Sequence, residues 1–134
     1  MSTFYPVKVE NVKYTDEYDG IVTLLFPSGD TIDACFWGAT FDIGDDVDVV
    51  FDGGETNFSW ENTFSRNKDH QTGMHKASER AAYHCYGKIT GVNPVMADFG
   101  LMTLKLGDWT HDEQVIGEYI YWEIGCLVAF KRVT

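Results

Sequence analysis

Apolar and polar residues alternate with a period of two over most of this chain, the mark of half-buried strands. Val7 and Val9 share a face, and after a slip of phase Val12 and Tyr14 continue it, which predicts a first strand. The run Ile21-Val22-Thr23-Leu24-Leu25-Phe26 predicts a second. Pro27-Ser28-Gly29-Asp30 supplies turn chemistry, because proline presets its φ and glycine accepts a positive one. A third strand is expected over residues 31–37. Gly44 then precedes residues 45–52, where Val47, Val49 and Phe51 point to one face and Asp46, Asp48 and Asp52 to the other.

The middle of the chain breaks this rhythm. Residues 55–73 are rich in Asn, Ser, Thr, Asp and Gly and read mainly as loop. Met74, Ala77, Ala81 and Cys85 fall at helical spacing, with Lys76, Glu79 and Arg80 off the stripe, which predicts a short amphipathic helix. Strand patterning resumes at Tyr83 and predicts strands over Tyr86–Val92, 100–106, 117–124 and 126–133, with Gly125 as a bend between the last two.

The two strand-rich stretches echo each other. Lys8-Val9-x-x-Val12 recurs as Lys88-Ile89-x-x-Val92. Gly20-Ile21-Val22-Thr23-Leu24 recurs as Gly100-Leu101-Met102-Thr103-Leu104, again 80 residues later. Ile43-Gly44-Asp45-Asp46-Val47 is matched by Ile116-Gly117-Glu118-Tyr119-Ile120 at a shorter offset. These repeats predict two related β-meander halves. The expected fold is mainly β: a single antiparallel β-barrel with one short helix between the halves. One domain spans residues 1–134, with a first β half at 5–55, a loop plus helix at 56–82 and a second β half at 83–134. Gly44-Asp45-Asp46-Val47 is similar to a strand start common in OB-folds, and a short helix between strand groups fits that pattern. The chain thus loosely resembles OB-fold-like small β-barrels. The resemblance implies a binding fold for oligonucleotides, oligosaccharides or proteins and does not choose among them.

Composition narrows the choice. The chain has 134 residues, 44% hydrophobic and 15% aromatic, more apolar content than a disordered acidic chain carries. It has no long aliphatic run of membrane-spanning length, and Met1-Ser2-Thr3-Phe4-Tyr5-Pro6 lacks a signal peptide's basic start and apolar stretch. Cys35, Cys85 and Cys126 are odd in number and without CxxC spacing, so free thiols and a reducing cytoplasm are the expectation.

Charge changes the picture most. The net charge is -11, and residues 10–55 hold twelve acids against one base, Lys13. The rest balances, with nine acids and nine bases. Such a field attracts cationic partners and repels nucleic acid and anionic membrane. A basic protein is therefore the expected partner. Its binding residues are expected to be Asp30, Asp33, Asp42, Asp45, Asp46, Asp48, Asp52 and Glu55, with Trp60 as an aromatic anchor in a long polar loop. The plainer reading makes the acids a solvated strand face and has Trp60 and Phe64 pin the loop to the barrel. Size and charge are similar to those of small acidic bacterial immunity proteins, and that resemblance implies neutralisation of a nuclease-type toxin domain.

Other chemistry finds less support. An EF-hand counted from Asp42 places Val47 sixth and Gly53 twelfth, where glycine and glutamate are required. His70 and His75 are five apart, off the spacing of a helical zinc pair, and adjacent His84 and Cys85 diverge. No metal or other cofactor is expected. Ser65, Asp69 and His70 are triad residue types without a nucleophile elbow, and Glu61 with His70 is an acid/base pair only by composition. A non-enzymatic protein is expected. One alternative is a ligand-binding barrel or small enzyme with its site at the barrel mouth, lined by Tyr119, Tyr121, Trp109 and the loop around His70. Another is an OB-type single-stranded nucleic-acid binder using Arg66, Lys68, Lys76 and Arg80.

Overall fold

In the computed structural model, which describes residues 4–54, 59–77 and 81–132, ten strands form two sheets that share one core. The first sheet is a closed barrel in the order β1-β2-β3-β10-β4, from β1 (Tyr5–Tyr14), β2 (Gly20–Leu25), β3 (Thr31–Phe36), β4 (Asp46–Gly54) and β10 (Cys126–Lys131). All its pairs are antiparallel except β3 with β10. The second is a curled sheet of β5 (Gly73–Lys76), β6 (Tyr83–Gly91), β7 (Val95–Asp98), β8 (Thr103–Gly107) and β9 (Tyr119–Ile124). The expected mainly-β fold with a barrel and a short helix is present, the barrel closing through one parallel seam and the second half curling into a sheet of its own.

The phase slip in β1 is a β-bulge: pairing with β2 shifts between Val9 and Asn11. The alternation in β4 holds as well, with Val49 and Phe51 buried and Asp46 and Asp52 exposed.

The helix lies elsewhere than expected. Helix α1 covers Trp60–Ser65, inside the stretch read as loop, and its N-cap Ser59 accepts a hydrogen bond from the Asn62 N–H at 3.4 Å. Met74 and Cys85 are not on one helical stripe. They are cross-strand partners of β5 and β6, because an apolar pair spaced for a helix also suits two strands that fold back on each other. Glu79 and Arg80 of the expected helix, and Glu55 of the expected site, lie outside the described residues. Strand β7, too short to carry a pattern of its own, is an addition to the expected set.

The two halves are related, in a register partly different from the one expected. Lys8 lies opposite both Asp46 of β4 and Leu25 of β2, and Lys88 lies opposite both Tyr119 of β9 and Asp98 of β7. The bulge after Val9 recurs after Ile89. The N–H of Gly44 donates to Val9 O at 2.8 Å and that of Val9 to Asp45 O at 2.9 Å. Gly117 to Ile89 and Ile89 to Glu118 repeat these bonds at 2.8 and 3.0 Å. Gly44 and Gly117 both need the left-handed backbone, at φ of 94° and 95°. The first strands are therefore 80 residues apart, while the later elements are 73 apart (Gly44 to Gly117, Leu25 to Asp98). The expected match of Gly20–Leu24 with 100–104 fails. Gly20–Leu24 belongs to β2, whose counterpart is β7, and Thr103 opens the counterpart of β3. The slide comes from a shorter hairpin, strands and connection together: Ile89 to Asp98 spans nine residues where Val9 to Leu25 spans sixteen.

One strand binds the halves together. β10 follows β9 across the Gly125 bend and leaves its own half, pairing with β4 over six positions and with β3 at Val128 and Cys35. Cys35 and Cys126 form a disulfide across that parallel seam, with Cα atoms 6.5 Å apart. This corrects the expectation of free thiols: the seam aligns two cysteines 91 residues apart, which spacing alone does not reveal. Cys85 is free and buried. The Tyr5 hydroxyl accepts from the Thr103 N–H at 2.8 Å, and the Tyr83 hydroxyl accepts from the Asp33 N–H at 2.8 Å. Burial pushes the Tyr83 hydroxyl up to about 12, so it stays protonated at neutral pH.

Candidate functional site

The barrel's outward face carries the acids. Side chains alternate across a strand, so burying Val49 and Phe51 turns Asp46, Asp48, Val50 and Asp52 outward. The Asp46 side chain is 82% exposed, with Lys8 Nζ 3.9 Å away. Asp48 faces Arg132 at 3.7 Å. Both pairs are long and wet, so each holds its carboxylate loosely, by about 0–1 kcal/mol. Asp42 and Asp45 stand exposed in the turn that enters β4, and Asp52 is exposed near its far end. Asp30 is exposed in the β2–β3 turn and accepts from the Ser28 hydroxyl at 2.8 Å. Among the described residues, Asp30, Asp42, Asp45 and Asp52 have no ion pair.

Asp33 differs from the rest. Partial burial works to raise its carboxyl, but bonds from the Lys76 ammonium and the Thr23 hydroxyl (2.6 Å) outweigh that and hold it below the ordinary 3.8. Lys76 is on β5 and Asp33 on β3, so this pair joins the halves and is committed to the fold.

Trp60 is half exposed on α1, stacked on Phe64 at 5.8 Å and edge-on to Trp109 at 5.1 Å. Trp109 in turn stacks on Trp122 of β9. This aromatic column seats α1 on the second sheet, which is the plainer of the two readings of Trp60.

The barrel has other exposed rings that the sequence reading did not select. Trp37 is 53% exposed and meets Phe130 edge-on at 6.0 Å, and Phe130 lies opposite Val50 in the acid row of β4. Ile43, 65% exposed, sits between Asp42 and Gly44. Tyr18 is exposed and its carbonyl accepts from the Ala39 N–H at 3.2 Å, tying the β1–β2 and β3–β4 loops together. Strand phase offered a signal for Trp37: Phe36 points inward, so its neighbour points out. The β4 acids thus border a surface with exposed aromatic groups.

The alternative sites come together only in part. Tyr119 and Tyr121 share the outer face of the second sheet, but the chain after α1 covers them. His70 stacks on Tyr119 at 4.3 Å, and the Arg66 guanidinium lies 4.6 Å over Tyr121, leaving that ring 4% exposed. Burial raises the Tyr121 hydroxyl, Glu123 adds to the rise and Arg66 opposes it. Asn67 pins this cover by donating to Ile120 O at 2.9 Å and Gln71 O at 3.0 Å. Trp109 stacks instead on the buried Trp122, whose side chain points to the opposite face of β9, so a single pocket of Tyr119, Tyr121 and Trp109 does not form. Of the basic set, Lys76 is engaged by Asp33, Arg66 by Tyr121, Lys68 is exposed, and Arg80 lies outside the described residues. Among the described residues, no three metal-ligating side chains stand together, and no hydrogen bond links Ser65, Asp69 and His70.

Among known proteins, no family model, no curated protein and no solved structure matches this chain. No helix among the described residues is long and apolar enough to cross a membrane.

Proposed function

We propose that this protein is a non-enzymatic binding module whose acidic barrel face docks a basic protein. The observation that carries this reading is the row of exposed Asp46, half-buried Asp48 and exposed Asp52, the first two loosely paired, bordered by Phe130 and Trp37. Charge of this kind steers a partner in, and half-exposed rings supply surface to desolvate on contact. The acids concentrate in the barrel: residues 10–55 hold twelve acids and one base, while residues 83–125, the part of the second half outside the barrel, hold six acids and two bases. The scaffold therefore does not demand the charge. A nuclease-type toxin domain is a partner of suitable charge, which is the immunity-protein version of this proposal. The strand order, with a fifth strand closing between the third and fourth, supports the OB-like resemblance as a scaffold for binding.

The test is capture of basic proteins on immobilised wild type and on Asp46→Lys/Asp48→Lys, followed by association kinetics. Association slowed at least tenfold in the reversed variant, with retention lost as salt rises, is the expected result. Unchanged association rates sink the proposal.

A further inference from the structure

The two halves meet at a cleft. A cavity of about 550 Å³ opens between the β2–β3 turn, β5 and the β7–β8 turn. Its apolar floor includes Phe26, Ile32, Met74 and Leu101. Asp30, Ser28, Thr31, Thr72 and His75 provide polar groups, and Asp30 is the one carboxylate among them. Among the described residues, no Lys or Arg lines it. A second groove of about 510 Å³ shares Phe26 and Pro27 with it and runs along the outer barrel face to Lys8, Asp46 and Asp48. The two adjoin at Phe26 and Pro27 as the two arms of a furrow.

A strand edge faces this cleft. β3 pairs with β2 throughout, but on its other side β10 reaches it only at Cys35. Among the described residues, the first half of that edge has no strand partner, and the second sheet takes one of its main-chain groups, at Asp33. The Asp33 N–H points to this side, since it donates to the Tyr83 hydroxyl. Main-chain groups alternate in direction along an antiparallel strand, so the N–H and carbonyl of Thr31, two residues back, point the same way. Lys76 already shows the chemistry the edge accepts: it enters from β5 and places its ammonium on Asp33.

We propose that an extended cationic segment of the partner lies in this furrow. It adds along the open edge at Thr31, sends a lysine or arginine to Asp30 and lays that side chain's aliphatic stem on Phe26, Met74 and Leu101. This assignment rests on the acidic-face reading and locates its point of entry. The occupant follows from charge, a lone carboxylate over an apolar floor, and from an edge that main-chain groups can extend.

The experiment uses the full chain and a blocked six-residue peptide of alternating arginine and threonine, followed by amide chemical shifts at low salt. The expected shifts cover residues 28–32 and 72–75, with smaller ones at 46–48. Asp30→Asn should weaken the peptide about tenfold, as expected for loss of a charge-assisted bond, and Asp42→Asn less than twofold. The same peptide N-methylated at alternate residues should also bind at least tenfold more weakly, because it cannot complete the strand; this readout needs no variant to fold. Shifts confined to residues 37–45, or equal binding of the N-methylated peptide, overturn the furrow and leave the acidic face standing. Absence of any binding at low salt removes both.

Discussion

Leu127→Ala provides the sharpest test of the architecture. Leu127 is on β10, 0% exposed, with its N–H bonded to Ala81 O at 2.6 Å and its backbone opposite Gly53 of β4. Truncating a fully buried leucine costs the transfer energy of the lost carbons plus a cavity, about 3 kcal/mol together. The interlock adds a second expectation. β10 belongs by chain order to the second half and by pairing to the barrel, so both halves should lose this stability as one unit. With a urea m-value of about 1.5 kcal/mol/M for a domain of this size, the midpoint should fall by about 2 M. The assay is urea unfolding read separately at Trp37, in the barrel, and at Trp122, in the second sheet, in single-tryptophan backgrounds. Coincident transitions shifted equally are expected. A Trp122 transition that stays in place while the Trp37 transition moves would refute the reasoning, since the halves would then be independent.

Three further outcomes follow from the geometry. Gly44→Ala and Gly117→Ala should each cost about 1–2 kcal/mol in thermal or chemical unfolding, because both glycines hold a left-handed backbone; a twofold disparity would count against their equivalence. Asp33 is held below 3.8 in the fold, so its contribution is complete above that value and disappears as pH falls through its lower folded value. Asp33→Asn should therefore be less stable than wild type at pH 5 and converge with it in stronger acid, by unfolding at graded pH. Alkylation after unfolding without reductant should modify Cys85 alone and none of the three cysteines in the folded protein, where burial pushes the Cys85 thiol up to about 12.

Strands whose one face is buried were legible from alternation. The bulge in β1 and the in-out split of β4 are direct examples, since each inward valine forces an outward polar neighbour. What pattern does not carry is partnership. Met74 and Cys85 suit a helix or a hairpin equally, and only the pairing of β5 with β6 decides. The repeat is visible but misaligned at its second strand, because the β6–β7 hairpin is seven residues shorter than the β1–β2 hairpin, mostly in the strands themselves. The Cys35–Cys126 bond and the open edge of β3 both come from where β10 docks, a contact between distant segments without a local signal. At the candidate site, the acids were legible as composition. Trp37, Ile43 and Phe130 became evident only once their exposure was known. Sequence places Asp33 among the acids expected to meet a partner because nothing local announces that Lys76 reaches it from β5.

An acidic barrel face that steers a cationic partner acts first on the rate of association. The most direct measurement is the association rate of the captured basic protein with wild type and with Asp42→Asn/Asp45→Asn/Asp46→Asn/Asp48→Asn, which removes charge and keeps shape. The account predicts that the on-rate falls at least tenfold at low salt, that dissociation changes little, and that the two proteins converge as salt rises. An on-rate that stays the same at low salt would contradict it.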